Sequence, residues 1–506
     1  MSHNIFELFA QRFAAYRDQP FLSTPGEPSY TYGDIDRRSA AIATVLSDDG
    51  ASAGDRIVAQ VEKSADAVAL YWACLRAGLV YVPLNTAYTA EEVGYFIGDS
   101  GARAFVFSTG KAAKLEPVGD IAGVNKMYTL GTRGNGTLAD AAGQITARST
   151  VLERAADDIA CMLYTSGTTG RSKGAMLTHA NLASNALALH AIWRFQEGDV
   201  LLHPLPIFHV HGLFVALHCA ILNGSNVIFL SKFDVDDVRA YLPSATVMMG
   251  VPTFYTRLLA DPDFGPEDCE TIRMFTSGSA PLAPTVFREF TQRTGHTICE
   301  RYGMTECGII TSNPPEGQRI AGTVGYPLPK VDVRVCDDDD EPVGPDEIAG
   351  IQMRGPNLFP GYWQLPDKTA EEMTEDGFFR TGDIGSMAGD GRLTIVGRNS
   401  DMIISGGYNV YPKEVEIQLE EVDGVMETAV VGLPHPDFGE AVAAFVVAKP
   451  EVTEADLREA LTDRLAKFKQ PKAYMFLEDL PRNAMGKVQK AALRADHAEA
   501  FSLLDL

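Results

Sequence analysis

The chain has 506 residues, with 43 Lys+Arg against 67 Asp+Glu, a formal charge of −24 and a pI near 4.8. An apolar share of 45% excludes disorder as the whole story. The acidic balance argues against nucleic acid, whose binders carry a basic footprint, and against docking on an anionic membrane. No apolar run reaches the ~18 residues of a membrane span. No signal peptide is expected, and seven scattered cysteines without a CxxC pair fit a reducing cytoplasm better than a disulfide or zinc framework.

At ~100–200 residues per domain the length predicts two to four domains. Thr31 and Asp34 have capping-box spacing ahead of a helix whose apolar face includes Ile35, Ile42 and Leu46. A strand over residues 56–61, a helix over 65–77 and a strand over 79–84 follow. This strand–helix–strand order implies parallel sheets covered by helices. It recurs with strands at 227–230 and 245–249. Val331-Asp332-Val333-Arg334-Val335 alternates in period two, and the acidic run at 337–341 reads as a solvated hairpin loop. Beyond about Gly397 the elements shorten. Val415, Leu419 and Val422 mark a helical face, and 429–432 and 444–447 read as strands. The predicted fold class is therefore α/β: a large N-terminal domain of parallel and mixed sheets with helices and a β-rich subdomain, then a small α+β C-terminal domain. Residues 464–494 hold eight Lys/Arg against Glu478 and Asp479. That stretch is either a solvated basic face or a local field for anionic substrates.

The most informative segment is Tyr164-Thr165-Ser166-Gly167-Thr168-Thr169-Gly170-Arg171-Ser172-Lys173-Gly174. It follows an apolar strand at 159–163. Its glycines permit tight turns, its hydroxyls and backbone N–H groups can face an anion, and Lys173 adds charge. This is a polyphosphate cradle, but not the GxxxxGK[ST] loop, because Gly174 follows Lys173.

This loop resembles the signature of the adenylate-forming superfamily of acyl-CoA synthetases, adenylation domains and luciferases. Further matching motifs occur in order: Ser277-Gly278-Ser279-Ala280-Pro281-Leu282, Arg301-Tyr302-Gly303-Met304-Thr305-Glu306, Thr381-Gly382-Asp383, Gly397-Arg398-Asn399-Ser400-Asp401 and Pro481-Arg482-Asn483-Ala484-Met485-Gly486-Lys487. The resemblance implies an N-terminal AMP- and acyl-binding domain over 1–397, a hinge at 398–400 and a mobile C-terminal domain over 401–506. It also implies ATP/AMP, Mg2+ and coenzyme A. The nucleotide would be held by residues 165–170 and Lys173, by Ser279, Ala280 and Pro281, and by Glu300, Tyr302, Gly303 and Met304. Tyr302 offers a flat face to adenine. Thr305 and Glu306 supply oxygens near the α-phosphate, Glu306 as the Mg2+ ligand. Asp383 and Arg398 suit the ribose. Lys487 would stabilise the anionic transition state of adenylation. The Ser405-Gly406-Gly407 turn would line the pantetheine path in a second half-reaction, after the C-terminal domain swings about Ser400, where many relatives carry Asp or Lys. Lys487 is also the residue at which an acetyltransferase would act, as in related ligases.

Arg301 stands where many superfamily members carry a small residue. A buried arginine is costly unless an anion pairs with it. A second carboxylate on the substrate would do so, with Ser279 adding a hydroxyl and His209 lying nearby as a catalytic and substrate residue. His211, two residues on, reads as packing. Together with Phe208-His209-Val210-His211-Gly212 and the segments 250–259 and 405–414, these motifs are similar to the malonyl-CoA synthetase subgroup. The implied reaction is ATP-dependent ligation of malonate to CoA through malonyl-adenylate. The apolar Cys307-Gly308-Ile309-Ile310 keeps methylmalonate, or another short-chain acid, as the alternative.

Overall fold

The computed structural model describes residues 3–124, 126–148, 150–165, 172–462, 464–483 and 486–501. The helix Tyr32–Asp48 begins on the expected capping box. Asp34 N donates to Thr31 Oγ1 at 3.1 Å and Thr31 N donates to Asp34 Oδ2 at 2.9 Å. Ile35, Ile42 and Leu46 are buried on its inner face.

Two large sheets dominate the N-terminal part. One runs Lys126–Leu130, Ala104–Ser108, Arg56–Gln60, Val80–Pro83 and Ile159–Thr165 in parallel, with Lys173–Thr178 closing it antiparallel. The other has a parallel centre of Ile298–Met304, Met274–Ser277, Val247–Gly250, Val200–His203, Asn226–Phe229 and Pro20–Ser23. The helix Ala65–Arg76 is buried on every side, as a helix between two sheets must be. Tyr71 meets Tyr81 of one sheet at 5.3 Å, and Trp72 meets Phe21 of the other at 5.2 Å. Truncating Trp72 to alanine would cost about 3–5 kcal/mol.

The period-two segment becomes Asp332–Cys336, the first strand of an antiparallel sheet with Ala349–Arg354, Phe379–Met387 and Leu393–Arg398. The acidic run is the turn region between its first two strands, but it is not wholly solvated. Asp340 accepts from Arg380 Nε at 2.9 Å and from Gln352 at 2.6 Å, because the neighbouring strands bring those donors beside it.

A 3-10 turn, Asn399–Asp401, with Ser400 exposed, leads from that sheet to Ile403–Ser405 of the C-terminal sheet. There Val425–His435 pairs with Gly439–Ala448. Alternation puts Val430, Val442 and Val446 against Val415, Leu419, Leu457 and Leu461 on one face, and Val431 and Phe445 against Leu480 and Leu493 on the other. The helix Pro412–Glu420 ends before Val422. Much of the basic stretch is neutralised locally: Lys469 pairs with Glu414, Arg482 with Glu427, Lys490 with Glu416 and Arg494 with Asp401. Its positive field is therefore smaller than the residue count implies. All seven cysteines are free and buried. Among the described residues, no helix is long and apolar enough to cross a membrane.

Candidate active site

The phosphate-loop segment connects two paired strands, with Thr165 opposite Lys173 in the register. Ser166, Gly167, Thr168, Thr169 and Gly170 lie outside the described residues, as do Ala484 and Met485 of the last motif. Lys173 Nζ sits 3.0 Å from Glu372 Oε1 and 4.0 Å from the centre of the Tyr362 ring. The Tyr362 hydroxyl lies 2.8 Å from Glu372 Oε2 and 3.0 Å from Glu306 Oε1. Burial pushes the Glu306 carboxyl above its ordinary pKa, and the charge on Glu372 adds to this. Glu306 and Thr305 occupy the turn after the strand Ile298–Met304. One buried carboxylate beside a second, with the lysine of the loop close by, fits a hard cation that arrives with nucleotide phosphates and keeps its own waters.

Along Ile298–Met304 side chains alternate between two faces. Tyr302 points toward Asp383, donating its hydroxyl to Oδ2 at 2.6 Å. Asp383 stands directly opposite Arg398 across two antiparallel strands, and Arg398 Nε lies 3.1 Å from its Oδ1. Each carboxylate oxygen retains a lone pair for a ribose hydroxyl. Gly303 lies so close to the next strand that a β-carbon would come within 2.8 Å of Ile309 Cα. Glu300 is buried, its Oε1 lacks a hydrogen-bond partner, and burial raises its pKa to about 8. Met304 ends the strand half-buried.

Arg301 points the other way. It is 5% exposed, and its Nε and Nη2 have no hydrogen-bond partner. Among the described residues it forms no ion pair, with Glu300 or any other acid. Burial draws even this guanidinium down to about 10. His209 and His211 both lie within its field. His209 is held near 4 by burial, Arg301 and Lys487, and so is neutral at pH 7. Ser279 Oγ is 3.4 Å from His211 Nδ1, and Ser279 adopts φ +71°, a left-handed conformation costing about 1–3 kcal/mol in a non-glycine residue. Ala280 beside it is half-buried and Pro281 is exposed. Cys307 and Gly308 border a small separate cavity with Val210, Phe214 and Asn185, while Ile309 and Ile310 are packed in the core.

The C-terminal domain completes the site. Lys487 is half-buried and close enough to His209, Arg398 and Asp383 to interact electrostatically with each. The segment before it packs on the large domain: Arg482 and Gly486 share a crevice with Leu205, Val251, Thr253 and Arg257. Gly406 and Gly407, at φ +59° and +84°, form a two-residue hairpin turn and are exposed.

Residues 9–363 match the family described as AMP-binding enzyme, and 414–487 match its C-terminal domain. The chain belongs to the AMP-binding enzyme family. This AMP-binding enzyme is 34% identical to the malonate–CoA ligase of Arabidopsis thaliana, over 97% of its own length and 89% of that protein's. It is 33% identical to the long-chain-fatty-acid–CoA ligase of Salmonella typhimurium, over 97% and 94%. The crystal structure of ATP-bound MatB from Rhodopseudomonas palustris superposes with a TM-score of 0.95 at 46% identity, covering 99% of this chain and all of that one. The apo form of the same protein gives 0.84. The overall arrangement thus matches the nucleotide-bound form better.

Sequence reading missed Tyr362 and Glu372. Glu372 lies in a run of charged residues and Tyr362 stands in no phosphate or acid motif, so nothing local marked them.

Proposed function

We propose that this AMP-binding enzyme is an acid–CoA ligase selective for malonate. The observation that carries the reading is the buried Arg301 guanidinium with no carboxylate beside it among the described residues. A distal substrate carboxylate supplies the missing partner, accepting from Nε and Nη2 while the reacting carboxylate faces the nucleotide. An alkyl tail would leave the same charge buried and unpaired, which counts against the long-chain acids of the 33%-identical relative.

In the first half-reaction the proximal carboxylate oxygen attacks the α-phosphorus of ATP. The bond to the β-phosphate oxygen breaks, giving malonyl-adenylate and pyrophosphate. Asp383 and Arg398 hold the sugar, and Lys487 meets the charge that builds on the oxygens between acid and phosphate. Mg2+, held through Glu306, would shield the phosphates. In the second, after the C-terminal domain reorients about Ser400 and withdraws Lys487, the CoA thiol attacks the anhydride carbonyl. The thiol proton is lost, AMP leaves and malonyl-CoA forms. The exposed Gly406-Gly407 turn is free to line the thiol's path in that orientation.

Methylmalonate is the second reading, since it brings the same distal carboxylate to Arg301. Pyrophosphate release across malonate, methylmalonate, acetate and a long-chain acid tests both. Malonate should lead, and Arg301→Ala should lower its kcat/KM by about 10²-fold or more, as expected for stranding one member of a buried charge pair. Equal use of acetate, or an unchanged malonate kcat/KM in Arg301→Ala, would overturn the assignment.

A further inference from the structure

His211 is 1% exposed, and its Nε2 has no hydrogen-bond partner. A neutral imidazole carries one N–H and one lone pair. Ser279 Oγ lies 3.4 Å from Nδ1, and where its hydroxyl donates there the ring hydrogen falls on Nε2. Arg301 presents two further orphaned donors within electrostatic reach of the same ring. Buried donors normally find partners, and three without one, on two side chains that both rest on the Gly278-Ser279 turn, point to an acceptor that arrives from outside. A carboxylate, with about four lone-pair positions, can take all of them.

The ring is also held from behind. His211 opens a π-helical turn, His211–Ala216, of a kind often found at functional sites. His203 Nε2 donates to the Gly212 carbonyl at 2.9 Å, which leaves His203 Nδ1 as an acceptor. Lys63 Nζ fills it at 2.8 Å and also donates to the His203 carbonyl at 2.7 Å. The Gly212 carbonyl thus fixes the His203 tautomer, and Lys63 holds the ring against it through Nδ1. Gly212 is packed so tightly that a β-carbon would lie 2.9 Å from the Pro206 carbonyl carbon. The turn has little room to drift.

We propose that His211 is a donor to the distal carboxylate of the acid beside Arg301, with the Ser279 hydroxyl holding the ring by its Nδ1, and that Lys63 is a positioning residue that aims it through His203 and Gly212. The proposal rests on the diacid reading above. It assigns a substrate contact to a histidine that local sequence presents as packing, and a role in acid selection to a lysine about 140 residues away along the chain.

The test compares kcat/KM for malonate with that for isovalerate, which matches malonate in shape but lacks the distal charge. His211→Asn, which keeps a polar group only near the Nδ1 position, should lower the malonate-to-isovalerate ratio about tenfold or more, with ATP KM within twofold. His211→Gln, whose amide reaches toward the Nε2 position, should restore most of that ratio. Lys63→Met should lower the ratio in the same direction, and in ¹⁵N-histidine-labelled protein it should shift the His203 Nδ1 resonance, whose hydrogen bond it removes. Equal losses for both acids in His211→Asn would overturn the donor role, and an unchanged ratio in Lys63→Met would overturn the positioning role. If His211→Asn does not fold, the wild-type protein decides. Malonate added with a non-hydrolysable ATP analogue should shift the His211 Nε2–H resonance, and no shift overturns the contact. Failure of the diacid reading itself would show separately, as an Arg301→Ala ratio equal to wild type.

Discussion

The guanidinium of Arg301 rests against Gly278, so closely that a β-carbon at position 278 would lie 2.7 Å from Nε. The glycine is the seat of the arginine, since backbone on that side leaves no room for both a side chain and the charge. Gly278→Ala should therefore push the guanidinium out of register with the acid. The expected outcome is a malonate KM raised about tenfold or more with ATP KM near wild type, read by pyrophosphate release. An unchanged malonate KM would mean that the seat is not needed.

Lys487 reaches the field of His209 and Asp383 from the C-terminal domain. Lys487→Ala should lower malonate-dependent exchange of pyrophosphate into ATP by about 10²-fold or more, and leave thiol attack on supplied malonyl-adenylate nearly intact. Acetylation of Lys487 removes the same charge and should reproduce the same split. Equal loss of both half-reactions would refute this division of labour.

The folded pKa of Glu300, about 8, lies above its ordinary value of 4.5 because the carboxyl is buried. The protonated form supports the fold fully below pH 4.5, and that support is lost as pH rises toward 8. Glu300→Gln cannot ionise. Its stability relative to wild type should rise across this window, on the order of a few kcal/mol, and level off above it. Urea unfolding of both proteins at pH 5.5, 7 and 8.5 measures this, and parallel pH curves would contradict it.

The Gly406-Gly407 turn needs positive φ at both positions. Gly407→Val should strain it and crowd the proposed thiol path. Single-turnover measurements should show adenylation within twofold of wild type and thioester formation at least about tenfold slower. Slowing confined to adenylation would remove the turn from the second half-reaction.

The legible parts of this protein were contiguous. The capping box at Thr31 and Asp34 was readable because a cap is set by residues three apart. The alternation at 332–336 was readable for the same reason, but the neighbours that tie down Asp340 were not, since Arg380 reaches it from 40 residues away. The basic stretch at 464–494 misled in the same manner: its count of charges was visible, whereas the acids that neutralise them sit on other elements.

By itself the sequence determined the kind of chemistry, because a phosphate loop, an Arg-Tyr-Gly-Met-Thr-Glu strand and turn and a lysine-bearing C-terminal motif each carry their meaning within a few residues. Only the folded chain decided what those residues face. It left Arg301 without an acid partner among the described residues, joined Lys173 to Glu372 across 199 positions, and stood Lys63 behind His203. The physical reason is that a charge is costly or useful according to what surrounds it in space, and packing brings those surroundings from distant parts of the chain.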